Sequence, residues 1–262
     1  MDLLLSLVLA GAAMTGADAA GGEPSGLRLT VLYDNTVAVE GTESDWGFAV
    51  LVELGDAVVL FDTGTKPEIL QHNVRRLGVD LSRVDSVVLS HDHGDHTGGL
   101  PSVLAQHHDL KVYAPSSFSD EFAAAVRQTG AEVVITAESR DVAAGIRTSG
   151  TVDGAIPEEA LAIDTGDGLL VITGCAHPGV VEIVRHVKQR FDQPVHTVLG
   201  GFHLLRHSRA QVVEVMDQLQ DLGVRTVGPT HCTGESAIDL FRERFADRFI
   251  ELGTGRVVEM GD

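Results

Sequence analysis

Apolar and polar positions recur along this chain with two distinct periods, and the period changes mark its elements. Leu27-Arg28-Leu29-Thr30-Val31-Leu32-Tyr33 reads as a strand, and residues 48–54 and 57–61 form two more around the Gly55-Asp56 turn. Between 67 and 77, Ile69, Leu70, Val74 and Leu77 recur at helical spacing behind Pro67 and before Gly78, so a helix is expected. The runs 84–89 and 168–174 are largely apolar and rich in β-branched residues, which predicts buried strands. Further strands are expected at 111–114, 132–135, 195–199 and 225–229, and helices at 120–128, 180–190, 211–222 and 235–246, with another starting just after Gly99. The stretch 138–167 holds Gly145, Gly150, Gly154 and Pro157 and reads as hairpins or a meander, the place for substrate-specific elements.

Strand and helix patterns that alternate in this way after residue 26 describe an α/β chain, long enough for one large domain or two small ones. Residues 1–26 depart from it. An apolar run at 3–14, too short to span a bilayer, precedes small residues including Ala17-Asp18-Ala19, which reads as a signal peptide cut after Ala19. The mature protein is then expected in the periplasm or outside the cell, free of the membrane. Asp2 stands where a signal peptide carries Lys or Arg, so the alternative is a cytoplasmic protein with an N-terminal extension.

Composition narrows the partners. Apolar residues make up 44% and aromatic residues 5%, so Val, Leu, Ile and Ala must fill the core. The formal charge of −19, from 38 acidic against 19 basic residues, repels phosphate backbones and argues for a small-molecule substrate over a nucleic acid. Two cysteines, Cys175 and Cys232, are too few for a disulfide scaffold and read as small buried residues beside histidines.

The densest chemistry lies in Ser90-His91-Asp92-His93-Gly94-Asp95-His96-Thr97-Gly98-Gly99, at the end of a buried strand. His91 and His93, two apart, can reach one ion, while Asp95 and His96 follow the turn at Gly94 and can face a second. Asp92 is expected to point away. Crowding these groups is costly unless a cation compensates, and the donors suit zinc, with manganese or iron as alternatives.

His91-x-His93-x-Asp95-His96 followed by Thr97-Gly98-Gly99 resembles the signature of the metallo-β-lactamase superfamily. The resemblance implies an αββα four-layer sandwich, a single domain over residues 27–262, with one or two divalent metal ions at one edge, used mostly for hydrolysis. Val31-Leu32-Tyr33-Asp34-Asn35, Gly174-Cys175-Ala176-His177-Pro178-Gly179, Gly200-Gly201-Phe202-His203-Leu204 and Thr230-His231-Cys232-Thr233-Gly234 are similar to the dihydropterin ribofuranosyl-aminobenzene phosphate synthase-like branch. By the same resemblance His177 joins His91 and His93, His231 joins Asp95 and His96, and Asp62 orients a metal-bound histidine. Many superfamily hydrolases place a bridging aspartate where this chain has Gly200-Gly201-Phe202-His203. His203 is therefore expected to reach the site, as a ligand or as a hydrogen-bond donor to an oxyanion, and Asp95 and His203 are the expected catalytic residues. His72, His107, His108, His186 and His196 read as solvated or packed, and His207 is left open.

The function this implies is hydrolysis of a small ester, phosphoester or lactone-like substrate, with the ions lowering the pKa of a bound water toward ~7. A single-iron sulfur dioxygenase retains the same histidine pattern, and a metal-stabilised binding protein without turnover is the other alternative. If the export reading holds, protein from its native host begins near Ala20, and an intact-mass measurement showing Met1 retained would remove it.

Overall fold

The computed structural model describes residues 26–261 apart from residue 108. The signal peptide and linker expected at 1–26 thus lie outside the described residues, Gly26 excepted.

Among the described residues the strands fall into two sheets. The first holds β1 (Leu27–Tyr33), β2 (Ala49–Leu54), β3 (Ala57–Phe61), β4 (Ser86–Val88), β5 (Lys111–Ala114) and β6 (Glu132–Ile135) in that spatial order. The second holds β7 (Asp141–Ala143), β8 (Ile146–Thr148), β9 (Leu161–Asp164), β10 (Leu169–Thr173), β11 (Val195–Gly201) and β12 (Thr226–Thr230). The chain then returns to the first sheet, where β13 (Val257–Met260) pairs antiparallel with β1. β3 to β6 are mutually parallel, as are β10 to β12, and the remaining neighbours are antiparallel.

A strand that is apolar on both faces must be covered on both, and this requirement sets the layers. Leu29, Val31, Val52 and Phe61 of the first sheet meet Leu161, Ile163, Leu170 and Ile172 of the second in the central core. On the outer face of the first sheet lie α1 (Pro67–Leu77), the one-turn α2 (Gly94–Thr97), α3 (Leu100–Leu104) and α4 (Asp120–Gln128). Ile69, Leu70, Val103 and Val126 from these helices cover Leu60, Val87 and Val112. α5 (Val180–Phe191), α6 (Arg209–Asp221) and α7 (Glu235–Phe245) cover the second sheet, with Ile183, Val187, Met216 and Phe241 over Val171, Val198 and Val227. The architecture is the expected αββα sandwich.

Local signals set the helix ends. Pro67 opens α1, and Gly78 closes it in the left-handed conformation. A reciprocal Ser208–Gln211 capping box starts α6 two residues before the expected position.

Some expectations shift. The strand expected over 84–89 is confined to Ser86–Val88, because Leu81–Arg83 form a 3₁₀ turn whose closing bond runs from the Val84 N–H to the Leu81 carbonyl. The strand expected to stop at 199 continues through Gly201, pairing Gly200 with Pro229 and Gly201 with Thr230. A side chain at 200 would come within 2.1 Å of the Thr173 carbonyl oxygen, so glycine permits that approach. The 138–167 segment supplies β7 to β9, the edge of the second sheet, and also two fully buried acids, Glu158 and Glu159. β13 carries a half-exposed pattern too short to be recognised from its period.

Glu159 is an ionisable group without compensation. Its carboxyl oxygens make no well-aligned hydrogen bond, the Thr136 and Thr148 hydroxyls are its polar neighbours, and burial pushes its pKa up to about 8. An unfolded glutamate ionises near about 4.3. Between those values the folded chain holds a proton the unfolded chain has lost, so stability falls as pH rises through the window. Glu159→Gln should therefore gain on wild type from pH 5 to pH 8, by at least about 4 °C in Tm at ~2–4 °C per kcal/mol, and level off above. A pH-independent gap in calorimetry would contradict the buried acid.

Candidate metal centre

Every candidate side chain leaves a strand at the same edge of the sandwich. Asp34 and Asn35 follow β1, Asp62 follows β3, and the 91–96 cluster follows β4; Cys175 and His177 follow β10, His203 follows β11 and His231 follows β12. Parallel strands bring their carboxyl ends together, which is how residues far apart in sequence converge here. Asp62, Ala176, His203 and His231 have positive φ values of 57°, 62°, 54° and 51°. The backbone therefore turns sharply where it must aim a side chain into the centre.

The sheets also meet closely beneath the site. A Cβ at Gly174 would lie 2.1 Å from Ser90 Oγ and 3.0 Å from Asp62 Oδ2, so only glycine lets the β10 exit pass over the first sheet's polar loop.

One donor group consists of His91, His93 and His177, whose available ring nitrogens lie within 4.8 Å of one another. His91 Nε2 faces His93 Nδ1 at 3.1 Å, while His91 Nδ1 pairs with Ser90 Oγ at 2.9 Å. His177 Nδ1 bonds Glu158 Oε2 at 3.1 Å, leaving Nε2 free. Burial, followed by the neighbouring His96, drives the His91 pKa down to about 2, so this ring is neutral and keeps a lone pair for a cation. Burial and His177 lower His93 in the same direction.

The second group is Asp95, His96, Cys175 and His231. Asp95 Oδ2 lies 3.5 Å from His96 Nε2 and 3.3 Å from His231 Nε2, and Cys175 Sγ lies 3.3 and 3.4 Å from the same two nitrogens. The outer nitrogens are again engaged: His96 Nδ1 with Asp62 Oδ2 at 2.7 Å, and His231 Nδ1 with Asn35 Oδ1 at 3.0 Å. Asn35 also accepts from the Gly47 N–H and donates to the His231 carbonyl, which fixes its amide and hence the His231 tautomer. Burial opposes charge on His96, yet Asp62 and Asp95 outweigh it and push its pKa up to about 10. A spot this electronegative calls for a positive charge, and the inward N, O and S donors are those a divalent ion accepts. The residues present fit such an ion.

Glu158 stiffens the first group. It accepts the backbone N–H groups of Cys175 and Ala176 at 2.8 Å and of His177 at 2.9 Å. Burial alone would raise its pKa, but these donors and the His177 ring hold it down to about 2. Leaving such a charge unpaired would cost several kcal/mol, so the His177 ring and the three amides together make a carboxylate tolerable here.

The structure thus brings together all six expected ligand residues, His91, His93, Asp95, His96, His177 and His231. Asp92 is exposed, and Asp62 bonds His96 as the resemblance implied. His203 packs against His177 with ring centroids 4.4 Å apart and planes tilted by 47°, and it shares a donor group with His177 and Cys175, not with Asp95, His96 or His231. It is exposed, at the mouth of the centre, with Cys232 raising its pKa. Cys175 stands among the donors themselves and is more than a small residue under the site. Its place in Gly174-Cys175-Ala176-His177 was the available signal. Glu158 lies in an irregular segment and carries no sequence signal, while Asn35 stands in the Val31–Asn35 motif, where the sequence gives it no separate role. His72 and His186 bond the Gly41 and Ser149 carbonyls, away from the centre.

A four-layer αββα fold with such donors at its strand exits defines a class of metal-dependent proteins. The family model for the metallo-beta-lactamase superfamily matches residues 47–250, and the chain belongs to that superfamily. It is similar to the 7,8-dihydropterin-6-methyl-4-(beta-D-ribofuranosyl)-aminobenzene-5'-phosphate synthase of Methanocaldococcus jannaschii, 28% identical over 77% of this chain and 84% of the relative. An uncharacterised protein of the same organism is 30% identical over 80% of this chain and 92% of its own length. Among solved structures, a metal-dependent hydrolase of the beta-lactamase superfamily superposes with a TM-score of 0.75 at 30% identity, covering 90% of this chain and 100% of that one. The short form of human tRNase Z, at 13% identity and a TM-score of 0.59 over 90% of this chain and 100% of its own, shares the fold.

Carboxylates that orient metal-bound histidines typically account for 10–100-fold in metal affinity. Glu158→Gln and Asp62→Asn should each weaken divalent-ion binding by about that factor in chelator competition. Wild-type affinity in both variants would dissociate these carboxylates from ion binding.

Proposed function

We propose that this protein is a metal-dependent hydrolase acting on a small ester, phosphoester or lactone-like substrate. The observation that carries this reading is the pair of adjoining donor groups, in which the outer nitrogens of His91, His96, His177 and His231 are engaged and their inner nitrogens converge. His91, His93 and His177 would hold one divalent ion, and Asp95, His96, Cys175 and His231 a second. The mixed N, O and S set suits zinc. Ions held there supply Lewis acidity, which makes water nucleophilic near neutral pH and polarises the scissile carbonyl or phosphoryl group.

The chain's own residues do the rest. His231 and His96 hold the Asp95 carboxyl well below the usual carboxylate range against the opposing effect of burial, so Asp95 is suited to binding a cation more than to carrying a proton. His203, exposed beside His177, would donate a hydrogen bond to charge developing on a substrate oxygen. The archaeal relative's name denotes synthesis of a phosphorylated ribosyl aminobenzene compound. Hydrolysis is preferred here on the likeness to the metal-dependent hydrolase and on the donor set.

The test is elemental analysis joined to a panel of aryl esters, lactones and phosphodiesters. Chelation should abolish turnover and added metal restore it, and His177→Ala should lose metal and activity together. His203→Ala should keep its metal and lose rate by ~10²–10³. Full metal content and activity in His177→Ala would refute the assignment, and iron as the bound metal with oxygen uptake on thiols would assign oxidation instead.

A further inference from the structure

Beside the second donor group a cavity of about 490 Å³ opens against His231, and the proposed hydrolysis at the ions assigns it no task. Trp46 lines it, with its ring 5.0 Å from that of His231. This indole is the chain's single tryptophan and is 47% exposed, although a ring of its size gains much from burial. Leu205, 60% exposed, lines the same cavity. Its seat depends on Gly234, where a Cβ would come within 2.7 Å of Leu205 Cδ1 and 3.0 Å of its Cα. The other exposed large apolar side chains among the described residues, Val37, Ile135 and Val257, do not line it. Two large uncovered apolar groups meeting at one concavity beside a donor cluster mark a place where a ligand supplies the missing cover.

The charges at this cavity select the ligand. Glu235, Asp239 and Glu251 line it together with Arg242. That guanidinium is engaged: Nε and Nη2 donate to Glu251 at 2.9 to 3.1 Å, and Nη1 pairs with Asp239. The nearby Lys66 pairs at 2.6 Å with Asp45, the residue before Trp46, and does not line the cavity. Three carboxylates against one committed cation leave the wall negative, a field that repels an anionic group and tolerates a neutral or positive one.

We propose that this cavity binds the non-reacting part of the substrate and takes a flat aromatic group, uncharged or cationic, stacked against Trp46, while rejecting an anionic ring. Its service to a substrate rests on the hydrolytic reading; its ligand chemistry does not. Aromatic stacking supplies affinity without directional hydrogen bonds, and the carboxylates supply discrimination. The preference for a cationic ring should weaken as salt is raised.

Because Trp46 is the chain's sole indole, its fluorescence reports the cavity directly. The metal-loaded protein would be titrated with benzamide, benzamidine, benzenesulfonate and the non-planar cyclohexanecarboxamide. Benzamide and benzamidine should quench and shift the emission at concentrations at least about tenfold below benzenesulfonate and cyclohexanecarboxamide. Asp239→Asn combined with Glu251→Gln, which frees Arg242, should bring benzenesulfonate to within about threefold of benzamide. Equal response to all four probes, or none, would overturn the proposal, as would unchanged discrimination in the double variant. Ring binding without turnover of any ester or lactone leaves the cavity assignment standing and removes hydrolysis. Turnover with the same KM for aryl and alkyl esters in both wild type and Trp46→Ala removes the cavity and leaves hydrolysis intact.

Discussion

Imidazoles packed ring against ring inside a protein repel one another once protonated and waste their lone pairs when neutral, unless each nitrogen has a defined partner. In this chain that constraint is met asymmetrically. His91, His96, His177 and His231 give one nitrogen to Ser90, Asp62, Glu158 and Asn35, and turn the other toward a shared centre. Remove the outer partners and the rings could rotate or change tautomer, and the inner geometry would disperse. The buried acids are tolerable for the reciprocal reason, since Asp62 is held by the Ser90 amide and hydroxyl and Glu158 by three backbone amides.

The fold's role is to bring these partners from two sheets to one edge. Asp62, Ser90 and the 91–96 loop come from the first sheet, and Glu158, Cys175, His177 and His231 from the second. The central core of Leu29, Phe61, Leu161 and Ile172 fixes the spacing, and Gly174 allows the loops to touch above it. Packing and site are therefore coupled, because a change that separates the sheets also separates His96 from Cys175.

Much of this was legible in the sequence for a physical reason. Continuous apolar runs mark buried strands and a 3.6-residue period marks amphipathic helices, so β1, β3, β5, α1 and α4 lie at their expected limits. Histidines spaced two and three apart at a strand exit are legible because their proximity is local. What was not legible depends on contacts across the chain. Nothing near Glu158 in sequence says that its carboxylate will meet the amides of 175–177, and the close approach of Cys175 to His96 and His231 emerges only when β10 and β12 lie with β4 at one edge. β13 is similar, for a short half-exposed strand is recognised by its partner β1 and not by its own pattern.

The left-handed backbone at Asp62, Ala176, His203 and His231 has a wider consequence. Each such residue costs of order 1–3 kcal/mol relative to a relaxed turn, so the surrounding packing must impose the conformation. The direction in which a side chain leaves the main chain is then a property of the scaffold, and the chemical identity of that side chain is a separate choice. A chain built this way can exchange an imidazole, a carboxylate or a thiol at a strand exit while the line of approach to the centre stays the same. New reactivity on such a frame is reached by single replacements at fixed vectors, with the sandwich beneath them unchanged.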